Sequence, residues 1–597
     1  MTWETIRKNA APRVAPNLAD YDRARLAFTW AQARASLAGL PGGGGPNIAY
    51  EAVDRHLAAS QGGKAALRCI ARDGSVSTVT YAELARRTAR FAQVLRSLGV
   101  GRGDRVFTLL GRRPELFTAV LGTLKNTSVL AALSPALRPG PVVQRLRLGD
   151  ARVLVTSRAL YRRKVADHQA ALPGLAHVLI VGPGAEELPG SLSYDALMAD
   201  TPDRFITPPT APEDAALLHF TSGTTGEPKG VLHVHGAVIA HDATAATALD
   251  LRPDDVYWCT ADAGSVTGMS YGVIAPLARG ATLVVDEDDR GEDDLGGILA
   301  GQRVSVWYTD PRSVRTLMRA TGRRGQRART DSYDLSALRF LASAGEPLTP
   351  EAVVWGRDVL GLPVHDNWSQ TETGCIMIAN LAACEIRPGS MGRPLPGVEA
   401  AVLELGEDGR ARLADGRVTV LENPDIEGEL ALRPGWPSMF RGYLHDTARY
   451  AAAFADGWYL TGDIVRRDKD GWYWFVGRAD DVITSAGRLI GPFEVESALT
   501  GHPSVAEAGV IGRPDPAAGS VVKAFVSVRP GVQPTPALER ELLAFVRRRL
   551  GPAVAPREIA FERDLPRTHS GTVLRRLLRA RELGLPSGDL STLEGSA

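Results

Sequence analysis

Residues Thr221-Ser-Gly-Thr-Thr-Gly-Glu-Pro-Lys-Gly230 follow an apolar run, Ala215-Ala-Leu-Leu-His-Phe220, that stops where the hydroxyl side chains begin. The run reads as a buried strand and the ten residues after it as a loop. Gly223, Gly226 and Gly230 let backbone N–H groups approach a polyanion closely. Ser222, Thr224 and Thr225 add hydroxyl donors, and Lys229 adds a mobile positive charge. This is the chemistry of a phosphate cradle. The spacing is not Gly-x-x-x-x-Gly-Lys-Ser/Thr, so the loop is not of the Walker type.

On either side of the loop, from about residue 80 to 460, short Val/Leu/Ile-rich segments alternate with Ala/Leu/Arg-rich helical ones. Arg105–Leu110, Ala151–Thr156 and Ala281–Val285 are examples of the former. Such alternation predicts α/β layers with largely parallel sheets. After about residue 478 the texture becomes a compact α+β unit, with strands at Ala506–Ile511 and Val521–Val528 and a helix at Pro536–Leu550. The expected architecture is therefore α/β: a large N-terminal domain of layered sheets and helices, residues 1–479, and a small mobile α+β domain, residues 480–597. A chain of 597 residues is too long for one core.

The 69 basic and 68 acidic residues leave a net charge of +1, so no global field recruits nucleic acid or a membrane surface. Cys69, Cys259, Cys375 and Cys384 show no C-x-x-C pairing, which reads as a reduced protein without a structural metal. The first residues carry no apolar leader, and a cytoplasmic location is expected. The acidic run Asp286–Asp294 reads as a solvated loop, since like charges repel. His233 and His235, two apart in a strand, share a sheet face without a visible third metal ligand.

The ten-residue loop resembles the phosphate-binding loop of the AMP-forming acyl-CoA synthetases and their adenylate-forming relatives, and further strings follow in the order that family uses. Ser343-Ala-Gly-Glu-Pro347 resembles the segment that packs on adenine, which implies roles for Gly345, Glu346 and Pro347. Asn367-Trp-Ser-Gln-Thr-Glu-Thr-Gly374 resembles the adenine- and magnesium-binding segment. There the resemblance puts Asn367, Trp368 and Gln370 beside the nucleotide, Thr371 on phosphate and Glu372 on Mg²⁺, a hard cation suited to oxygen ligands. Tyr459-Leu-Thr-Gly-Asp463 resembles the ribose segment, Asp463 accepting both ribose hydroxyls. Gly477-Arg-Ala-Asp-Asp481 resembles the domain junction, with Arg478 near the ribose and Asp480 as the hinge. The likeness is closest to the acetyl-CoA synthetase branch and runs nearly end to end, through Ala49–His56, His233–His235, Trp258–Asp262, Arg387–Gly392 and Gly491–Ser497. It implies two half-reactions: a carboxylate attacks the α-phosphate of ATP, then the small domain rotates and CoA displaces AMP. Gly487 would lie near the pantetheine and Arg547 near the CoA phosphates. Small-molecule acid, ATP and CoA are the implied partners.

Four positions depart from that pattern. Thr572, in Pro566-Arg-Thr-His-Ser-Gly-Thr-Val-Leu-Arg-Arg576, stands where family members usually carry a lysine that bridges the carboxylate and the α-phosphate. Losing one such preorganised donor typically costs about 3–4 kcal/mol of transition-state stabilisation. Arg567, Arg575 and Arg576 are nearby cations that could substitute. Leu489 stands where relatives usually have an arginine, with Arg488 one residue away. Ser265 and Ser369 stand where the acetate branch uses tryptophans, each of which fills on the order of 200 Å². The acid pocket, assigned to Ser265, Val266, Thr267 and Ser369, should therefore be larger and more polar than one for acetate.

Taken together, the sequence is expected to encode an AMP-forming acid–thiol ligase acting on an acid larger than acetate. Lys229, Thr221, Glu372, Thr572 and Arg488 form the catalytic set, Glu372 being the metal ligand. Two alternatives stay open: a ligase with an amine or other nitrogen acceptor, and a degenerate adenylate-binding protein impaired in adenylation.

Overall fold

A computed structural model describes residues 3–7, 14–222, 228–287, 294–321, 333–486, 488–516, 518–567 and 573–585. Two large sheets carry most of the chain. One has eight strands in the order Gly442–Tyr443, Pro228–Val234, Ala215–Ser222, Val129–Leu133, Arg105–Leu109, Val153–Ser157, His177–Val181 and Ser191–Ser193. From Ala215–Ser222 onward its neighbours are parallel; the two strands at the other end are antiparallel. The other large sheet has nine strands, with a parallel centre through Val364–Trp368, Phe340–Ser343, Val306–Thr309, Val256–Cys259, Thr282–Asp286 and Ala65–Ile70. Central strands such as Val129–Leu133 and Val306–Thr309 are buried at every residue. Helices cover parallel strands on both faces, so the expected signature is a continuous apolar run rather than an alternating one.

A third, five-stranded antiparallel sheet contains Glu427–Leu432, Trp458–Arg467 and Tyr473–Arg478. Beyond it, the hairpin Ile483–Ser485/Arg488–Ile490 and the strands Val505–Asp515, Gly519–Val528 and Glu558–Phe561 pack with three helices around cores of their own. The architecture is the expected one: a large layered α/β domain followed by a smaller α+β domain.

Local rules explain the elements closely where the signals are strong. The helix Pro536–Leu550 begins with Pro at its first position, and Thr535 Oγ1 caps Leu538 N at 3.2 Å. It buries Leu538, Leu542 and Val546, spaced i, i+4, i+8, and ends at Gly551, whose φ is +84°. Burying each of these side chains is worth roughly 2 kcal/mol. The phosphate-loop string differs from its reading in one respect. Thr221, Ser222 and Pro228–Gly230 are strand residues, with Thr221 opposite Lys229 and Ser222 opposite Pro228. The loop is thus the tip of an antiparallel hairpin, because the return strand carries its own apolar residues, Val231, Leu232 and Val234, into the core. Gly223, Thr224, Thr225 and Gly226 at that tip lie outside the described residues, as does most of the acidic run after Asp286. No helix among the described residues is long and apolar enough to cross a membrane.

Several histidines are buried in this fold. Burial pushes His56, His233, His235 and His365 down to about 4 and His241 to about 3. In the unfolded chain each regains its ordinary value near 6.5. The unfolded state therefore binds more protons between about pH 6.5 and 4, and stability, complete above 6.5, is lost as pH falls through that window. One unit below 6.5 the loss is about 1.4 kcal/mol per histidine. Thermal melting should shift downward between pH 7 and 5.5, and replacing His235 by Asn should flatten the slope.

Candidate active site

The turn that follows the strand Val364–Trp368 is held from three sheets. Asp463, in the strand Trp458–Arg467, is 4% exposed and collects three donors. Its Oδ2 accepts Trp368 Nε1 at 2.8 Å and Gln370 Nε2 at 3.0 Å; its Oδ1 accepts Arg478 Nη1 at 2.7 Å. Asp463 and Arg478 are register partners on adjacent antiparallel strands. Each answers the other's charge, and the Asp463 carboxylate raises the Arg478 guanidinium further above its usual range. Three donors leave an ionised carboxylate with acceptor capacity to spare, which suits neighbouring hydroxyl groups. Gln370 Oε1 in turn accepts the Tyr459 hydroxyl at 2.8 Å. Gly462, before Asp463, donates its N–H to the fully buried Glu429 at 2.8 Å, and Glu429 is forked by Arg410.

Glu372 comes next in the turn. The Tyr443 hydroxyl donates to Glu372 Oε1 at 2.8 Å, and Lys229 Nζ lies 5.3 Å from the centre of the same tyrosine ring. Tyr443 pairs in the eight-stranded sheet opposite Val231, so it joins the lysine strand to the turn. Burial lowers the Lys229 ammonium, and Glu372 pulls it back. One carboxylate with hydroxyls and an ammonium beside it matches Mg²⁺, which takes one or two carboxylates and completes its shell with water and substrate phosphate. The donor set fits that ion, and Glu372 is the residue that would hold it.

The neighbouring strand ends carry buried polar atoms without protein partners: Ser343 Oγ, Glu346 Oε1, one oxygen of Asp366 and Asn367 Nδ2. Tyr308 holds Asn367 by donating to its Oδ1 at 2.9 Å. Buried polar groups are ordinarily paired, so unpaired donors and acceptors at the carboxyl ends of parallel strands point to a ligand edge. A purine edge offers the matching donor and acceptor atoms. Gly345, with φ at +95°, and Pro347 shape the loop between them. Burial raises the Asp366 carboxyl well above its usual range.

The structure brings together Lys229, Thr371, Glu372, Gln370, Trp368, Asp463 and Arg478 through these contacts and the turn's backbone. Other expected residues are held by contacts of their own or lie outside that set. Ser265 caps the short helix Val266–Met269: its Oγ donates to Asp262 O at 2.7 Å and accepts Gly268 N at 3.0 Å. Val266 and Thr267 are half-buried there, as is Ser369 at the end of its strand. Arg488 is exposed and Leu489 half-buried; as strand neighbours they face opposite sides, so Arg488 does not occupy the place of Leu489. Arg547 is exposed on the last turn of its helix, whereas its neighbour Arg549 pairs with Glu351 at 2.9 Å. Gly487 and Thr572 lie outside the described residues.

Two of the substitute cations are already committed. Arg575 forks Glu496 at 2.8 and 2.7 Å and reaches Asp481 at 3.2 Å, and Arg567 pairs with Glu507. Arg579 donates to the carbonyl of Asp480 at 3.1 Å. The helix Arg575–Leu583 is thus fastened to the junction at Asp480–Asp481. Tyr443, Glu429 and Asp366 were not singled out by the sequence reading. Only Asp366, an acid at the end of an apolar strand next to the Asn367 string, carries a local sequence signal.

The fold and this convergence define the class: a two-part α/β enzyme scaffold whose strand ends gather a lysine, a carboxylate and unpaired polar atoms suited to a nucleotide. The family model of AMP-binding enzymes matches residues 54–444, and that of the AMP-binding enzyme C-terminal domain matches residues 494–572. The acetyl-coenzyme A synthetase of Bacillus subtilis is 41% identical over 97% of this chain and 98% of its own length. Among solved structures, an acyl-CoA synthetase of Brucella canis is 34% identical with a TM-score of 0.69, covering 95% of this chain and 99% of its own. The anthranilate CoA ligase AuaEII in complex with anthranoyl-AMP is 26% identical with a TM-score of 0.80, covering 92% and 98%. The chain belongs to the AMP-binding enzyme family, as its strings implied.

Removing the charge of Asp463 tests its place in the site. Asp463→Asn leaves Arg478 without its closest counter-charge and should weaken AMP binding roughly tenfold or more by calorimetry, since a charged hydrogen bond is worth about 1.5–3 kcal/mol. Arg575→Leu strands Glu496 and Asp481; breaking a buried pair from one side typically costs about 3–5 kcal/mol. It should lower the melting temperature clearly, whereas Arg547→Leu, on an exposed side chain, should leave it within a degree or two.

Proposed function

We propose that this chain is an ATP-dependent, AMP-forming ligase that activates a carboxylic acid larger than acetate as its acyl-adenylate and passes the acyl group to CoA. The observation that carries the reading is the joined set Lys229–Tyr443–Glu372 and Asp463–Arg478, which ties a phosphate-facing cation and a metal-binding carboxylate to a ribose-type acceptor. Thr221, Ser222 and Lys229 flank the phosphates and Thr371 contacts them. Asp463 and Arg478 hold the ribose, and Asn367 with Asp366 and Glu346 faces adenine. Magnesium, held by Glu372, supplies charge neutralisation as negative charge moves onto the departing pyrophosphate. Asp480 is the pivot about which the small domain turns between half-reactions, carrying the helix Arg575–Leu583 with it.

The size of the acid follows from Ser265 and Ser369, where the acetate branch has two indoles. The support from the comparisons is that the same fold, in AuaEII, holds anthranoyl-AMP, the adenylate of an aromatic acid. A second reading, a nucleotide-binding protein slow in adenylation, is favoured by one observation. Thr572 replaces the usual lysine, and the nearby Arg567 and Arg575 are engaged by carboxylates.

ATP–pyrophosphate exchange across a panel of acids, followed by product identification with and without CoA, tests both readings. Exchange should be absent or slow with acetate, faster with a larger acid, and raised by Thr572→Lys. Brisk exchange with acetate that Thr572→Lys leaves unchanged would overturn both the larger-acid assignment and the limiting role of Thr572.

A further inference from the structure

His233 and His241 belong to neither the phosphate cradle nor any metal cluster; among the described residues no group of three or more His, Cys, Asp or Glu side chains gathers to hold a metal ion. Their partners are backbone. His233, 1% exposed in the lysine strand, places Nε2 2.9 Å from the carbonyl oxygen of Thr371 and Nδ1 2.9 Å from that of Ser438. His241, equally buried on the next helix, places Nε2 3.1 Å from the carbonyl oxygen of Gly374, which also accepts Ser270 Oγ at 2.9 Å. The intervening carbonyls are taken as well. Glu372 O accepts Phe440 N at 2.9 Å, and Thr373 O accepts Trp436 Nε1 at 2.9 Å and Ser438 Oγ at 2.8 Å.

Four consecutive carbonyls, 371 to 374, thus point down into the protein, each with a polar partner. Gly374 shows how tightly: its φ is +70°, and a Cβ there would lie 2.4 Å from Ser438 O and 3.0 Å from the His233 ring. These bonds fix the backbone of the turn, from which the Glu372 side chain reaches the Tyr443 hydroxyl, on the ring beside Lys229. We infer that His233 is a positioning residue: with its single ring proton on Nε2 it donates to the Thr371 carbonyl and so sets the Thr371–Glu372 backbone, and with it the geometry with which these residues meet phosphate and Mg²⁺. Residues that orient a ligating carboxylate typically cost roughly 10–100-fold in metal affinity when removed. This inference rests on the reading of Thr371 and Glu372 given above.

The two nitrogens can be separated by substitution. His233→Gln keeps an amide donor at the reach of Nε2, toward Thr371; His233→Asn keeps one at the reach of Nδ1, toward Ser438, and loses the Thr371 contact. The readout is the ratio of ATP dissociation constants measured by calorimetry in EDTA and in Mg²⁺, with no acid present and no turnover required. His233→Asn should lower that ratio roughly tenfold, and His233→Gln should keep it within about threefold of the natural chain, at similar melting temperatures. Equal ratios in both variants, whether retained or lost together, overturn the positioning role. A natural chain that binds ATP no better with Mg²⁺ than without overturns the reading of Glu372 as well. Should the asparagine variant not fold, His233→Leu, which keeps comparable bulk and deletes both ring nitrogens, carries the same expectation of a lowered ratio, and an unchanged ratio there overturns the role.

Discussion

The buried carboxylate of Asp463 is the constraint on which the site depends. A charge held at 4% exposure needs partners, and the fold supplies them from separate segments: Trp368 and Gln370 on either side of Ser369, and Arg478 from the adjoining strand. A carboxylate without them would be costly to bury. Satisfying it therefore fixes where the nine-stranded and five-stranded sheets meet. The same interaction gives Trp368 a role separate from acid selection, since its indole N–H is spent on Asp463.

The far side of the turn is fixed by backbone rather than charge. Carbonyls are obligatory acceptors, and the turn satisfies those of 371–374 with donors from the eight-stranded sheet, its next helix and the segment 436–440. One side of the turn is thus held by an ionic cluster and the other by neutral hydrogen bonds. Between them only side chains remain to face a ligand. Such a division suits a site that must accept a large change in ligand charge without moving its own backbone. It is also a form of preorganisation, because donors and acceptors already aimed need not reorganise during reaction.

What could be read from the chain in advance follows the range of the forces involved. The helix Pro536–Leu550 was legible because its cap, its proline and its buried face are all local. Parallel strands were legible as apolar runs, and the cradle and ribose strings were legible because short backbone geometries demand particular residues. The hairpin of the cradle was less so: a loop and the first residues of a return strand look alike when both are rich in Gly and Pro. His233 was visible as a residue but not as a function, for its partner is a carbonyl 138 positions away and a carbonyl has no sequence signature. Tyr443 and Glu429 were missed for the same reason. Arg575 was misjudged in another way: as a nearby cation it looked available, and only the folded chain shows it held by Glu496 and Asp481.

That last contact also bears on how the two parts of the molecule work together. Arg575 and Arg579 tie one helix of the small domain to the residues at the junction, Asp480 and Asp481, while Glu496 simultaneously accepts Val510 N at 2.9 Å. The junction, the helix Pro492–Thr500, the strand Val505–Asp515 and the helix Arg575–Leu583 thus share one partly buried ionic knot. Bending within the small domain would have to part its three charges at once. On the N-terminal side of Asp481, Arg478 is pledged to Asp463, Ala479 N donates to the carbonyl of Gly462 at 2.9 Å, and Arg579 holds the carbonyl of Asp480, so the junction is fastened to both the five-stranded sheet and the small domain.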